Sequence, residues 1–209
     1  MRFIYFLLLL SVVVSCSNQK QNEKDDSSST NTSNTDINKI TTVVNSDSLL
    51  SVTGQQVLSI LKNKRYDSLP FYFSDSVHFS PYGFIGSGNQ TLTGADFAGL
   101  LSSNKKINWG DYDPGEDSIF LSAKTYIEKF VYNANFLHAE KTAIDSFIGS
   151  GNSLNNLKEK YPGCRFIEYH FTGFDKKYEG MDWTSLRLVF TKSGNQFLLI
   201  AFVNDRWTS

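Results

Sequence analysis

Of its 209 residues the chain has only two cysteines, Cys16 and Cys164, and its formal net charge is −1. Two thiols are too few for a disulfide-stapled scaffold, so the fold must rest on an apolar core. The near-neutral balance leaves no basic footprint for nucleic acid and no polybasic run for an anionic membrane surface. Long hydrophobic runs are also missing. The longest, Phe3 to Val14, is broken only by Tyr5 and Ser11 and stops at Ser15, short of the about 20 apolar residues a membrane-crossing helix requires. No Gly-x-Ser-x-Gly elbow, phosphate loop or His-Glu-x-x-His occurs, and His78, His138 and His170 stand too far apart for local zinc spacing. These absences exclude the commonest motif-borne chemistries and give no expectation of a metal or cofactor.

What is present begins with Arg2 before that apolar run, the arrangement of a signal peptide. Val13-Val14-Ser15-Cys16 then resembles the lipobox of bacterial lipoproteins, with an aliphatic residue three before the cysteine and a small one just before it. The resemblance implies cleavage after Ser15, lipidation of Cys16, and a lipid anchor in the cell envelope. Several buried acyl chains, at about 0.8 kcal/mol per methylene, make such an anchor lasting. Cys164 is then left without a partner and is expected to be a buried or semi-buried thiol. Residues 17–47 are polar, with aliphatic side chains only late, at Ile37, Ile40, Val43 and Val44; they read as a disordered tether. Lys24-Asp25-Asp26 resembles sorting signals that place lipoproteins on the outer face of the outer membrane, and equally fits a solvated linker.

The domain organisation expected is therefore a signal peptide (1–15), a lipidated cysteine with tether (16–47), and one α+β domain (48–209). Thr53 with Gln56, and Thr93 with Asp96, are capping signatures, and Ser122 is placed to cap a third short helix. Arg165 to Phe171, Trp183 to Phe190 and Phe197 to Val203 have strand composition, with Ser193-Gly194-Asn195 as a hairpin turn. Additional strands are expected at Val77 to Ser80 and within His138 to Ile148. Short N-terminal helices packed on one curved antiparallel sheet follow. That layout resembles the cone of the nuclear-transport-factor-2-like superfamily, which implies a pocket between helix and sheet but no particular activity. Segments such as His78-Phe79-Ser80-Pro81-Tyr82, Trp109-Gly110-Asp111-Tyr112-Asp113, Gly180-Met181-Asp182-Trp183 and Arg206-Trp207-Thr208 look like recurring motifs of an uncharacterised domain of exported bacterial proteins. In that domain a His-Asp pair commonly precedes the final tryptophan motif; here it is Asn204-Asp205.

Three groups of residues are candidate sites. Asp111-x-Asp113-x-Gly115-x-Asp117 has alternating carboxylates, but Pro114 interrupts it and Ser122 stands where an EF-hand loop needs glutamate, so an acidic turn is preferred to a calcium loop. Glu168 and His170, two apart on a strand, share a face. Either they form an outward polar face, the reading preferred, or with Asp182 or Arg187 they make an acid/base cleft. Pairing across the intervening loop sets Glu168 opposite Arg187 and His170 opposite Ser185. The aromatics Tyr82, Trp109, Tyr112, Trp183 and Trp207 could line a carbohydrate or peptide groove, or could serve as packing. A tethered, non-catalytic domain binding an envelope or extracellular ligand is the reading these features favour. The alternatives are a hydrolase or isomerase-type enzyme using Glu168 and His170, and an assembly factor that recruits a protein partner.

If Cys16 is the acyl acceptor, Cys16→Ala should accumulate as unprocessed precursor and take up no label in cells fed a radioactive fatty acid. Label on the variant, or none on the wild type, would refute the lipoprotein reading.

Overall fold

The computed structural model describes residues 45–112, 117–151 and 154–208; Cys16, the tether to residue 44, and Asp113 and Gly115 of the acidic loop lie outside them. Contacts divide the chain into units 1–41 and 42–209, and the second carries all of the described elements. Helix α1 (Ser46–Lys62) opens it, followed by a short 3-10 turn (Tyr66–Tyr72), strands β1 (Phe73–Ser80) and β2 (Gln90–Leu92), and helix α2 (Gly94–Ser103). Strands β3 (Lys106–Asp111) and β4 (Ser118–Ser122) form a separate hairpin, and helix α3 (Ala123–Tyr126) runs into a π-helical turn over Ile127–Val131. The remainder is β5 (Lys141–Ile144), α4 (Leu157–Lys160), β6 (Arg165–Phe171), β7 (Thr184–Ser193) and β8 (Gln196–Arg206). The fold is α+β, with helices on a large curved sheet of order β2-β1-β8-β7-β6-β5. Only β1 and β8 run parallel.

Local chemistry explains most boundaries. Thr93 caps α2 by accepting from the Asp96 N–H, and Ser122 caps α3 by accepting from Thr125. Gly194, at φ +58°, takes the tight turn between β7 and β8. The start of α1 differs from the capping signature at Thr53. Asn45 supplies the cap by accepting from the Asp47 N–H, and Thr53 sits mid-helix with its hydroxyl donating to the Leu49 carbonyl. Ser46 and Asp47 therefore belong to the helix and not to the tether, and Asp47 pairs with Arg165 at 2.8 Å. Helix α1 stops at Lys62, and Pro70 lies within the 3-10 turn that follows.

Leu50, Val57, Leu58 and Leu61 on one stripe of α1 are buried against the sheet. Gly54 permits the close approach, because a Cβ there would collide with Tyr169 and Ile167. Phe79 is the centre of this core. Its ring stacks on Phe97 at 5.6 Å and on Phe202 at 5.3 Å, with Trp109 and Tyr126 edge-on. The space between helices and sheet, where the resemblance implies a pocket, is thus filled by side chains.

The opposite face of the sheet is also covered. There Phe166, Val189, Ala201 and Val203 pack against Ile85 and Leu157, from the connections after β1 and β5. Cys164 is a half-buried free thiol beside this second cluster, its pKa raised by burial. Among the described residues, no helix is long and apolar enough to cross a membrane.

Candidate functional site

Strands β6 and β7 pair in the expected register, Glu168 opposite Arg187 and His170 opposite Ser185. Strand alternation gathers these four on one face and sends Ile167, Tyr169, Leu186 and Leu188 into the helix-side core. The face with Glu168 is not outward and solvated as the preferred reading held. Glu168 and Arg187 are both 0% exposed, because the connection between β5 and β6 folds back across them.

The cluster is tightly bonded. Glu168 Oε2 accepts from Arg187 Nε at 2.9 Å and from the Ile148 N–H at 3.2 Å, while Oε1 accepts from the Gly149 N–H at 2.8 Å and from Ser185 Oγ at 2.7 Å. With its proton given to Glu168, the Ser185 hydroxyl must accept from His170 Nδ1, 2.8 Å away. Arg187 Nη2 reaches Asp205 Oδ2 at 2.8 Å and the Gly149 carbonyl at 3.0 Å, and the Phe147 ring lies 4.9 Å from the guanidinium carbon. Arg187 Nη1, also buried, has no partner. Gly149 is required at the centre: a Cβ there would stand 2.6 Å from Ser185 Oγ and 2.8 Å from the Trp183 ring. Burial raises the Asp205 carboxyl pKa against the opposing pull of Arg187, and lowers that of His170 despite nearby Glu168.

A serine, a histidine and two carboxylates invite comparison with nucleophilic catalysis, but the directions of the bonds are wrong for it. An activated serine donates to its histidine; Ser185 donates to a carboxylate, and that carboxylate already accepts three other hydrogen bonds. The set acts as a clamp holding Ile148 and Gly149 on the sheet. Asp182 is not part of it. It lies in the β6–β7 connection, accepting from the backbone N–H groups of Phe174 and Asp175. Partial desolvation works against ionisation there, but those two N–H groups prevail and the Asp182 pKa is lowered.

The cluster is joined to a surface cleft. Asp205 lies against Gly83, where a Cβ would be 2.8 Å from its carboxyl carbon. Gly83 belongs to the loop after β1, and with Gly110, Asp111 and Leu154 that loop encloses a cavity of about 440 Å³. Its walls are Pro81, Tyr82, Phe84 and Leu154, and Asn89 supplies a polar edge. Phe84 is 50% exposed and Leu154 76% exposed. Asn156 holds the two sides together, its Oδ1 accepting from the Ile85 N–H and its Nδ2 donating to the Ile85 carbonyl.

The five candidate aromatics therefore separate. Tyr82 lines the cleft, and Tyr112 is exposed beside Phe130. Trp109 is core, stacked 4.1 Å from Tyr126 with its indole N–H donating to the Leu121 carbonyl. Trp183 packs over His170, and Trp207 is partly exposed at the end of β8. In the acidic loop, Asp117 accepts through its backbone from Tyr112 and Ser118 donates to Asp111, as in an ordinary hairpin turn. Among the described residues, no three His, Cys, Asp or Glu side chains are grouped to hold a metal ion. Sequence reasoning missed Asp205 as a partner of Arg187, and it missed Phe84, Asn89 and Leu154 altogether. Their only sequence signal is the Gly-rich stretch 83–88, and that signal marks a loop, not its geometry.

Two measurements test the clamp. Arg187→Met should destabilise by about 3 to 5 kcal/mol, since it leaves buried carboxylates unpaired; Glu168→Gln should cost less, because Arg187 keeps Asp205, and the double variant should lose clearly less than the sum. Strict additivity in urea melts would contradict direct coupling. The second concerns pH. His170 has its pKa lowered from an ordinary value of 6.5, so the unfolded chain binds more protons on this ring than the native state. The stability at stake is complete above the unfolded pKa and declines as pH falls below about 6.5. His170→Asn should flatten part of the fall in melting temperature between about pH 8 and 5.5, leaving the share of His78, whose shift has the same sign through burial. An unchanged slope would remove His170 from this role.

No protein-family model and no curated protein matches this chain. Among solved structures it is similar to a designed protein whose name begins Rd1NTF2, at 12% identity over 76% of this chain and 96% of that one, with a TM-score of 0.33. A likeness at that level assigns neither a family nor an activity.

Proposed function

We propose that this chain is an envelope lipoprotein, anchored through Cys16 to the outer membrane and displayed at its surface, whose α+β domain binds a ligand without catalysing a reaction. The observation that carries the binding role is the cleft beside Tyr82, Phe84 and Leu154. It exposes large apolar side chains on loops that are cross-braced by Asn156 and by the Arg187 cluster. Apolar surface kept open on a rigid frame suits recognition. The enzyme alternative has less support, because the Glu168 carboxylate is buried and already accepts four hydrogen bonds, and His170 packs beneath Trp183 with Nδ1 on Ser185. The cone-like description belongs to the same proposal, with the interior packed and the binding surface moved to the loops at the sheet's edge.

Hydrogen exchange on the full chain in detergent, with a fragment library as probe, tests this reading. Binding fragments should protect residues 81–89 and 108–112, and Phe84→Ser with Leu154→Ser should abolish that protection while leaving the melting temperature nearly unchanged. Protection centred on β6 and β7, or turnover of ester or glycoside substrates that Glu168→Gln eliminates, would favour the enzyme instead.

A further inference from the structure

We infer that the cleft takes a neutral saccharide, an inference that rests on the binding function proposed above. The charges around it decide the ligand's charge. Among the described lining residues Asp111 is the one charged side chain, and no described lysine, arginine or histidine joins it, so an anionic ligand such as a phosphate or carboxylate meets repulsion from Asp111. A cationic ligand fares little better. The Arg206 guanidinium already lies 5.9 Å from the Tyr82 ring and 4.8 Å from Phe130, which sets a fixed positive charge against the aromatic wall a cation would seek. An uncharged ligand meets neither the Asp111 carboxylate nor the Arg206 guanidinium as an electrostatic penalty.

The remaining chemistry points to a polyol with apolar faces. Tyr82, Phe84 and Leu154 offer surface on which the C–H face of a sugar ring can pack, and Asp111 and Asn89 offer hydrogen bonds to hydroxyls. Both polar groups are oriented before any ligand arrives. Asp111 Oδ1 accepts from Ser118 Oγ at 2.9 Å, and Asn89 Oδ1 accepts from the Gly86 N–H at 2.8 Å. Little side-chain entropy is then lost on binding. The glycines leave room at the cleft: a Cβ at Gly88 would meet nothing within 4 Å, and one at Gly110, whose φ is +120°, would stand 2.8 Å from Asn89 Nδ2. A peptide strand is a poorer fit. Of the lining residues only Gly110 and Asp111 belong to a strand, and Asp111 already pairs with Ser118 of β4, which leaves little main-chain edge for an added strand.

The test is calorimetric titration of the full chain in detergent with maltohexaose, cellohexaose, xylohexaose and chitohexaose, alongside choline and inorganic phosphate. At least one oligosaccharide should bind, with an affinity that does not change between about 0.05 and 0.5 M salt. Phe84→Ala should weaken it by about tenfold or more, and Asp111→Asn by less, because the amide keeps an acceptor. If the four oligosaccharides fail while choline or phosphate binds in a manner sensitive to Phe84→Ala, the ligand class is wrong and the binding cleft stands. A loss on Asp111→Asn of about a hundredfold or more would likewise indicate a cation. If none of the six probes binds and no fragment protects residues 81–89, both readings fall.

Discussion

The rest of the structure hangs on one buried guanidinium. Arg187 is withdrawn from water between Glu168 and Asp205, and a charge so placed is tolerable only while its partners remain in position. Those partners come from three separate parts of the chain: β6 through Glu168, β8 through Asp205, and the connection after β5 through the Gly149 carbonyl. Strands β6 and β8 are held in register by their ladders with β7; the connection after β5 lies outside those ladders. Directional bonds to Arg187 tie that connection to both strands, and the Phe147 ring lies 4.9 Å from the guanidinium carbon. Replacing such a set by apolar side chains can preserve stability. It would not preserve the placement of Ile148 and Gly149, whose N–H groups are bound by the carboxylate.

That placement explains why both faces of the sheet are buried and why the open cleft lies at neither. The helix side is filled by aromatic rings around Phe79, and the other side is closed by Ile85, Phe147 and Leu157 above the clamp. On this side of the molecule the cleft opens where the covering loops meet each other. There the backbone has little regular structure, so side-chain bonds must do what a ladder does elsewhere. Asn156 gripping both polar groups of Ile85, and Asn89 gripping Gly86 and Ser80, are those bonds.

Much of this was legible in the sequence where the signal was local. Capping residues marked α2 and α3, β-branched and aromatic runs marked β6 to β8, and the polar loop between β6 and β7 set the register of Glu168 on Arg187. The role of Asp205 was not legible, and the reason is a single residue. Counting back from the turn at Gly194 and Asn195 places Asn204 opposite Ser185, but a bulge at Ile200 shifts β8 by one, so that Asp205 takes that position. A one-residue shift exchanges the two faces of a strand. Within Phe197 to Val203 every residue is apolar, so no alternation betrays the change. The same lack of contrast hid the burial of Glu168. A polar residue on a strand reads as solvated unless the covering segment is known, and that segment is a distant loop.

The bulge also links clamp and cleft. Without it, Asn204 would take the position opposite Ser185 and Asp205 would point to the helix side of the sheet, away from Arg187. With it, the Asp205 carboxylate stands between Arg187 and the loop after β1, and the absence of a side chain on Gly83 is what lets that loop settle against it. The position of Phe84, the next residue, is thus set through Asp205 by the same guanidinium that sets Gly149 through its carbonyl. The buried charge thus bears on the Phe84 wall of the cleft, while Asn156 braces the Leu154 side against Ile85. The exposed Phe84 and Leu154 stay uncovered because buried polar residues behind them keep the loops apart, the condition that the proposed binding role requires.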